Sequence, residues 1–214
     1  MQLLSVNAGQ PQIFSWQGRQ VRTGIFKTPV AGPVAVAADN LAGDGQADLR
    51  VHGGPNKAVY AYPHEHYAYW QAQPLRVPLT PGVFGENLTT QGLLENQVQL
   101  GDCFRVGTAV LLAAQPRMPC FKLGLRFDDA GMLARFQAAG RSGIYFRVRE
   151  PGVVQAGDPI VLLEPGALGV TVQDAVDAFY HPAPDAARLQ ALLAAPFLPK
   201  FLKTRYRSLL KKAI

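Results

Sequence analysis

The sequence predicts a mainly β protein, a β-barrel with a few short helices followed by a small C-terminal three-helix bundle. Up to about Glu164 the 214-residue chain consists of short runs rich in Val, Ile and Leu, punctuated by Gly and Pro, a pattern that favours a barrel or sandwich. After Pro165-Gly166 the apolar residues recur at helical spacing instead. The composition, 48% hydrophobic and 17% charged, supports one full-sized core with a small appended unit and excludes wholesale disorder. The expected division is a β domain over 1–166 and a helical domain over 167–214.

PVAVAAD (33–39), AVLLAAQ (109–115), GIYFRVRE (143–150) and PIVLLE (159–164) each have the length and side chains of a strand. Helical stretches are expected at Pro55 to Tyr62, after the Gly53-Gly54 turn, at Glu65 to Gln71, and around Asp128 to Ala139, where Met132, Leu133 and Phe136 fall at helical spacing. In TVQDAVDAFY (171–180), Val172, Ala175, Val176, Phe179 and Tyr180 share a face, with Thr171 and Asp174 in capping-box positions. Two further helices fit Asp185 to Ala194, with Leu189, Leu192 and Leu193 inward, and Lys200 to Lys212, with Leu202, Tyr206 and Leu209 inward.

No run of about eighteen apolar residues and no secretory-type start is present, so a cytoplasmic protein without a membrane segment is expected. The two cysteines, Cys103 and Cys120, exclude a disulfide scaffold and read as thiols with separate roles. The net charge of +6 resides in the tail: Lys200, Lys203, Arg205, Arg207, Lys211 and Lys212 have no acid among them from Phe197 onward, and the rest of the chain is balanced. Such a helix is either a solvated face or a docking surface for an acidic partner. A nucleic-acid-binding barrel finds no interleaved exposed aromatics for base stacking, so no specific nucleic acid is expected.

VHGGPNKAVYAYPHEHYAYW (51–70) is the densest chemical segment. Gly53 and Gly54 can converge backbone N–H groups, and a helix starting near Pro55 would aim its positive end at the same point, with Lys57 on its first turn and His52 on the preceding strand. The plain alternative is a Gly-Gly turn with a solvated lysine. His52, His64 and His66 suggest zinc, but residues two apart on a helix point to different sides. Asp44 and Asp48, in LAGDGQADL, read as turn formers rather than paired catalytic acids, and there is no G-x-S-x-G turn for a serine triad. In QPRMPC (115–120), Pro116 and Pro119 stop a strand and hold its tip, displaying Cys120 between the cations Arg117 and Lys122. Neighbouring cations favour the thiolate, a soft ligand for redox metals. Cys103, in GDCFRVG, reads as a buried structural cysteine.

Together TGIFKTPV (23–30), LAGDGQADLRVHGGPNKAVYAYPHEHYAYW (41–70), FGENLTTQGL (84–93), LGDCFRVGTAVLLAAQPRMPCFKL (100–123) and SGIYFRV with AGDPIVLL (142–163) resemble the MOSC domain family, the molybdenum cofactor sulfurase C-terminal domain. The likeness is greatest to its bacterial YiiM-like branch, molybdoenzymes that end in a three-helix domain. The resemblance implies a MOSC-type β-barrel that binds the molybdenum cofactor, molybdenum held by molybdopterin, with the Cys120 thiolate on the metal. It also implies cofactor contacts from His52, Gly53, Gly54, Lys57, Gln115, Arg117 and Lys122. Gly85, Glu86 and Asn87 would read the pterin edge, and Lys27 would act as a catalytic cation at the metal mouth that can donate a proton. The implied reaction reduces small N-hydroxylated compounds, 6-hydroxylaminopurine among them, to amines. Two cysteines are too few for an iron–sulfur cluster and no flavin or haem signature is present, so electrons must come from an external flavoprotein reductase. The other reading is a molybdopterin- or sulfur-carrier that uses Cys120 without redox turnover. A monomer or a dimer is compatible with the sequence.

Overall fold

In the computed structural model, residues 1–48, 53–180 and 185–213 are described. Eight strands form one sheet: β1 (Gln2–Ala8), β4 (Thr28–Pro29), β6 (Val59–Pro63), β7 (Leu88–Gln91), β8 (Cys103–Val106), β9 (Ala109–Pro116), β10 (Ile144–Glu150) and β12 (Ile160–Glu164). Their order is β12-β8-β9-β10-β6-β7-β1-β4, and only the β6–β7 pair is parallel. Two small antiparallel ribbons accompany it, the hairpin β2 (Gln12–Trp16) with β3 (Arg19–Thr23), and β5 (Val34–Val36) with β11 (Gly152–Val154).

The expected barrel does not close. A single bridge, Gln2 to Pro159, joins β1 to the start of β12, and the Leu3 N–H donates to the Asp158 carbonyl at 2.9 Å. Beyond that point the β1 register against β7 shifts between Leu3 and Ser5, and such a bulge bends a strand away from a would-be neighbour. The chain is also less β-rich than its sequence predicts, with about 27% helix against about 30% strand.

Four expected strands lie where the apolar runs place them, in β5, β9, β10 and β12. The stretch from Pro55 to Tyr62 is not a helix. A three-residue 3-10 turn, Pro55–Lys57, leads directly into β6, because Val59, Tyr60 and Tyr62 are needed in the sheet between β10 and β7. The helix α1 (Glu65–Gln71) lies where expected. The region 122–139 holds two helices, α2 (Lys122–Phe127) and α3 (Met132–Ala139), separated by Asp128 in the left-handed conformation at φ 49°.

The C-terminal helices are α4 (Val172–Tyr180), α5 (Ala186–Ala194) and α6 (Lys200–Ala213). The capping box at the start of α4 is reciprocal: the Asp174 N–H donates to Thr171 Oγ1 at 3.1 Å and the Thr171 N–H to Asp174 Oδ2 at 2.8 Å. Asp185 caps α5, accepting from the Ala187 N–H at 3.1 Å. Leu189, Leu192, Leu202, Tyr206 and Leu209 are buried in one apolar cluster with Leu3, Leu111 and Phe146 of the sheet. The helices are therefore layered on the sheet, α4 against β9. A second cluster, rich in aromatics, gathers Tyr60, Tyr62, Tyr67, Trp70, Phe84, Phe127 and Phe136 beneath α1 and α3. No described helix is long and apolar enough to cross a membrane.

Candidate functional site

A cleft opens where the tip of β9, β6 and the loops after β3 and β5 converge. Among its lining residues are Lys27, Lys57, Gly85, Asn87, Arg117, Cys120 and Lys122, which are far apart in sequence. The structure adds Asp44, Tyr60 and Tyr145, together with Thr23-Gly24-Ile25 and Gln46.

Lys27 is buried and forms an ion pair with Asp44 Oδ1. Three glycine-bearing segments meet here. A side chain at Gly9 would overlap the Phe26 carbonyl, and one at Gly24 would overlap the Gly45 carbonyl. Asp44 is further fixed by the Gly9 N–H, which donates to Oδ1 at 3.0 Å, and by Asn87 Nδ2, which donates to Oδ2 at 2.9 Å. Burial pushes the Lys27 pKa down, against the charge and hydrogen bond of Asp44 and the more distant charge of Glu86. Gly24→Ala is expected to cost about 1–3 kcal/mol by forcing these backbones apart. Thermal denaturation should then show a Tm lower by roughly 3–10 °C. An unchanged Tm would mean that the segments separate freely.

Arg117 is 6% exposed, and its guanidinium lies 4.9 Å from the Tyr60 ring centre and 5.5 Å from that of Phe136. Its Nη1 donates to Tyr60 Oη at 3.4 Å. No carboxylate among the described residues pairs with it. Burial opposes its charge, but Tyr60, Tyr145 and Cys120 outweigh that penalty and hold the guanidinium protonated, its pKa raised above the ordinary value. Lys57 closes the 3-10 turn, and burial lowers its pKa while Cys120 acts in the opposite direction. Cys120 is half-buried between β9 and α2, and Lys122 is the first residue of α2. Among the described residues four cations thus line the cleft against one carboxylate, that of Asp44.

Other expected contacts lie elsewhere. Glu86 is fully buried behind the cleft, where its carboxylate accepts from the Gly82 N–H at 2.8 Å, the Phe84 N–H at 3.0 Å, the Thr89 hydroxyl at 3.0 Å and the Tyr67 hydroxyl, so it organises the 82–89 loop. Asn87 reaches the cleft, but its Oδ1 accepts from the Tyr60 N–H at 3.0 Å and its Nδ2 is given to Asp44. Gln115 is buried and donates to the Asn56 carbonyl at 3.0 Å, anchoring the 3-10 turn to β9. Gly53 and Gly54 precede that turn without lining the cleft, and three residues of 3-10 geometry supply none of the helix dipole expected at Pro55. His52 lies outside the described residues. His66 Nε2 is 2.7 Å from Glu95 Oε2 and its Nδ1 is 3.0 Å from Arg141 Nη1, while His64 stacks on Tyr67. Among the described residues no group of three or more His, Cys, Asp or Glu could hold a metal ion. Cys103 is buried in β8.

The sheet, its loop-built cationic cleft and the thiol at the mouth describe a domain of a known kind, and the MOSC domain profile matches residues 48–161. The chain belongs to the MOSC domain family. It is 42% identical over 212 residues to the uncharacterized protein YflK of Bacillus subtilis, covering 97% of this chain and 96% of that one. The crystal structure of YiiM from Geobacillus stearothermophilus superposes with a TM-score of 0.80 at 36% identity, covering 98% of both chains, which supports the YiiM-like branch. A protein of Gibberella moniliformis named Reductase is 38% identical over 165 residues, which cover 76% of this chain but 29% of the fungal protein.

Proposed function

We propose that the protein is a molybdenum-cofactor-dependent reductase that converts small N-hydroxylated compounds of the 6-hydroxylaminopurine type to amines. The observation that carries this reading is the cleft's charge. A buried arginine without a carboxylate partner among the described residues, two lysines beside it and a thiol on the rim fit an anionic, phosphate-bearing pterin with a soft-ligand metal. Cys120 would ligate the metal; Lys57, Arg117 and Lys122 would hold the phosphate and pterin charges, and Gly85 would let a flat ring approach the backbone. Because their side chains are already engaged, Glu86, Asn87 and Gln115 would support the cofactor seat by holding the loops around it.

The net change is R–NHOH + 2 e⁻ + 2 H⁺ → R–NH₂ + H₂O. When bound, the molybdenum centre supplies the two-electron and oxygen-accepting chemistry, and the protein supplies orientation and protons. Lys27 holds a proton at the mouth on Nζ, and Asp44 fixes that nitrogen in place. The assay that tests the reading is reduction of 6-hydroxylaminopurine by cofactor-loaded protein with a small chemical reductant, followed by product chromatography. Absence of adenine would overturn it.

The chain has too few cysteines for a cluster of its own, so the electrons come from a separate flavoprotein reductase; the fungal relative's name agrees with a reducing role. The exposed basic face of α6, with Lys200, Arg205, Arg207, Lys211 and Lys212, offers an acidic partner a docking surface. Replacing Lys200, Lys203, Arg207 and Lys211 with Glu is expected to slow turnover about tenfold with the reductase at low salt, where rim charges act on the association rate. Turnover with the chemical reductant should be unchanged; equal rates with both electron sources would remove α6 as the docking face.

A further inference from the structure

Glu95 is 2% exposed, lies on the loop after β7 and is not among the residues that line the cleft. Its backbone is anchored to α4, where the Gln173 N–H donates to its carbonyl at 2.9 Å. Its carboxylate serves two sides: Oε1 accepts the Gly143 N–H at 2.6 Å, and Oε2 lies 2.7 Å from Nε2 of the buried His66. The other ring nitrogen of His66, Nδ1, is 3.0 Å from Arg141 Nη1, and the Arg141 guanidinium in turn lies 4.4 Å from the Tyr69 ring centre. A guanidinium only donates, so Nδ1 accepts and the ring hydrogen sits on Nε2, aimed at Glu95.

The Gly143 N–H belongs to the same planar peptide as the Ser142 carbonyl, and the two point in opposite directions. That carbonyl accepts from the Tyr60 hydroxyl at 2.8 Å, and Tyr60 Oη accepts from Arg117 Nη1 at 3.4 Å. Every donor from Arg117 through Tyr60 and the 142–143 peptide therefore points toward one carboxylate, and hydrogen bonds aligned head to tail polarise one another. The peptide also packs on the ring it holds: a Cβ on Gly143 would lie 2.6 Å from Tyr60 Cε2 and 2.7 Å from its Oη.

We propose that Glu95 is the positioning residue for Arg117: through the 142–143 peptide and the Tyr60 hydroxyl it fixes the direction in which the buried guanidinium presents its charge to the cleft. A direct ion pair would cancel that charge, whereas a bridged one orients the guanidinium and leaves it attractive to an anion. Only the consequence for the cofactor rests on the reductase reading, in which Arg117 holds part of an anionic pterin.

Inorganic phosphate is the probe, titrated by calorimetry into cofactor-free protein. Glu95→Gln keeps an acceptor for the Gly143 N–H, but its amide hydrogens meet the one on His66 Nε2, so the junction must rearrange. Phosphate binding is expected to weaken about tenfold in Glu95→Gln and about as much in Tyr60→Phe, which keeps the ring beside the guanidinium and removes the next link. The double variant should bind no more weakly than either single one, because both remove the same restraint; additive losses would overturn the proposal. Side-chain NMR reads the orientation itself. The Nη–H signals of Arg117, assigned by their loss in Arg117→Lys, should be resolved in the wild type and merge through guanidinium rotation in both variants. If Glu95→Gln does not fold, the wild type and Tyr60→Phe still decide: a hydrogen on His66 Nδ1 in the wild type reverses the chain and overturns the proposal, as does an unaltered Arg117 in Tyr60→Phe. Arg117 disordered in both variants, with no phosphate bound by any form, would uphold the positioning and remove the anion site on which the reductase reading rests. Phosphate bound equally by all forms, with Arg117 equally ordered, would overturn the positioning and leave that reading standing.

Discussion

On the proposed reading, Cys120→Ala is expected to abolish reduction of N-hydroxylated purines and to take bound molybdenum from about one per chain to near zero, because Cys120 supplies the one thiol among the described residues that line the cleft, and a thiolate is a far stronger anionic ligand than the neutral Met118 thioether. The fold should survive. Cys120 is half-buried on a loop, and losing one sulfur there opens no core cavity. Cys103→Ala supplies the contrast: Cys103 is 2% exposed within β8, so its loss should cost about 1–2 kcal/mol of stability and leave the molybdenum content intact. Metal analysis by mass spectrometry, with pterin fluorescence after oxidation, reads both variants. Pterin without metal in wild type and variant alike would favour a carrier of molybdopterin or sulfur, while zinc in place of molybdenum would return attention to the histidines.

The parts of this molecule that could be read from sequence are those governed by neighbours in the chain. The α4 capping box needs only Thr171 and Asp174, the α5 cap needs only Asp185, and the inward faces of both later helices follow from leucines at helical spacing. The tip of β9 was legible for a similar reason, since Pro116 ends the strand and leaves Arg117 and Cys120 beyond it. Features set by distant contacts were not. Val59 to Pro63 is a strand because β10 and β7 lie on either side of it, a relation its own residues do not reveal. Asp44 stands between two glycines and reads as a turn former; it becomes a buried partner of Lys27 only when the segments at Gly9 and Gly24 close around it. Tyr145 enters the cleft because β10 pairs with β9. Glu86 has the chemistry of a ligand reader, but the N–H groups of Gly82 and Phe84 and two hydroxyls reach its carboxylate first. Recognition of the family words, by contrast, brought together Lys27, Lys57, Arg117, Cys120 and Lys122, whose meeting no local rule could supply.

Lys27→Met is expected to lower turnover by roughly 10²–10⁴-fold, the usual worth of a positioned proton donor. The pH profile separates this role from simple packing. Burial lowers the Lys27 pKa, so the proton is present at pH values below that lowered pKa and is lost as pH rises through it; activity should fall along the same alkaline limb. The methionine variant should lack that limb. Asp44→Asn removes the charge that holds the proton on Lys27, so its pKa drops further and the limb moves to lower pH, while turnover on the acid side is retained. Loss of Lys27 alone also leaves Asp44 buried without its cation, at a cost of about 3 kcal/mol, moderated by the Gly9 N–H and Asn87 Nδ2 that remain on the carboxylate. The double variant Lys27→Met, Asp44→Asn should therefore recover much of the lost Tm and none of the activity. Recovery of both would make the pair a structural brace, and an alkaline limb unmoved by Asp44→Asn would assign the proton to another group.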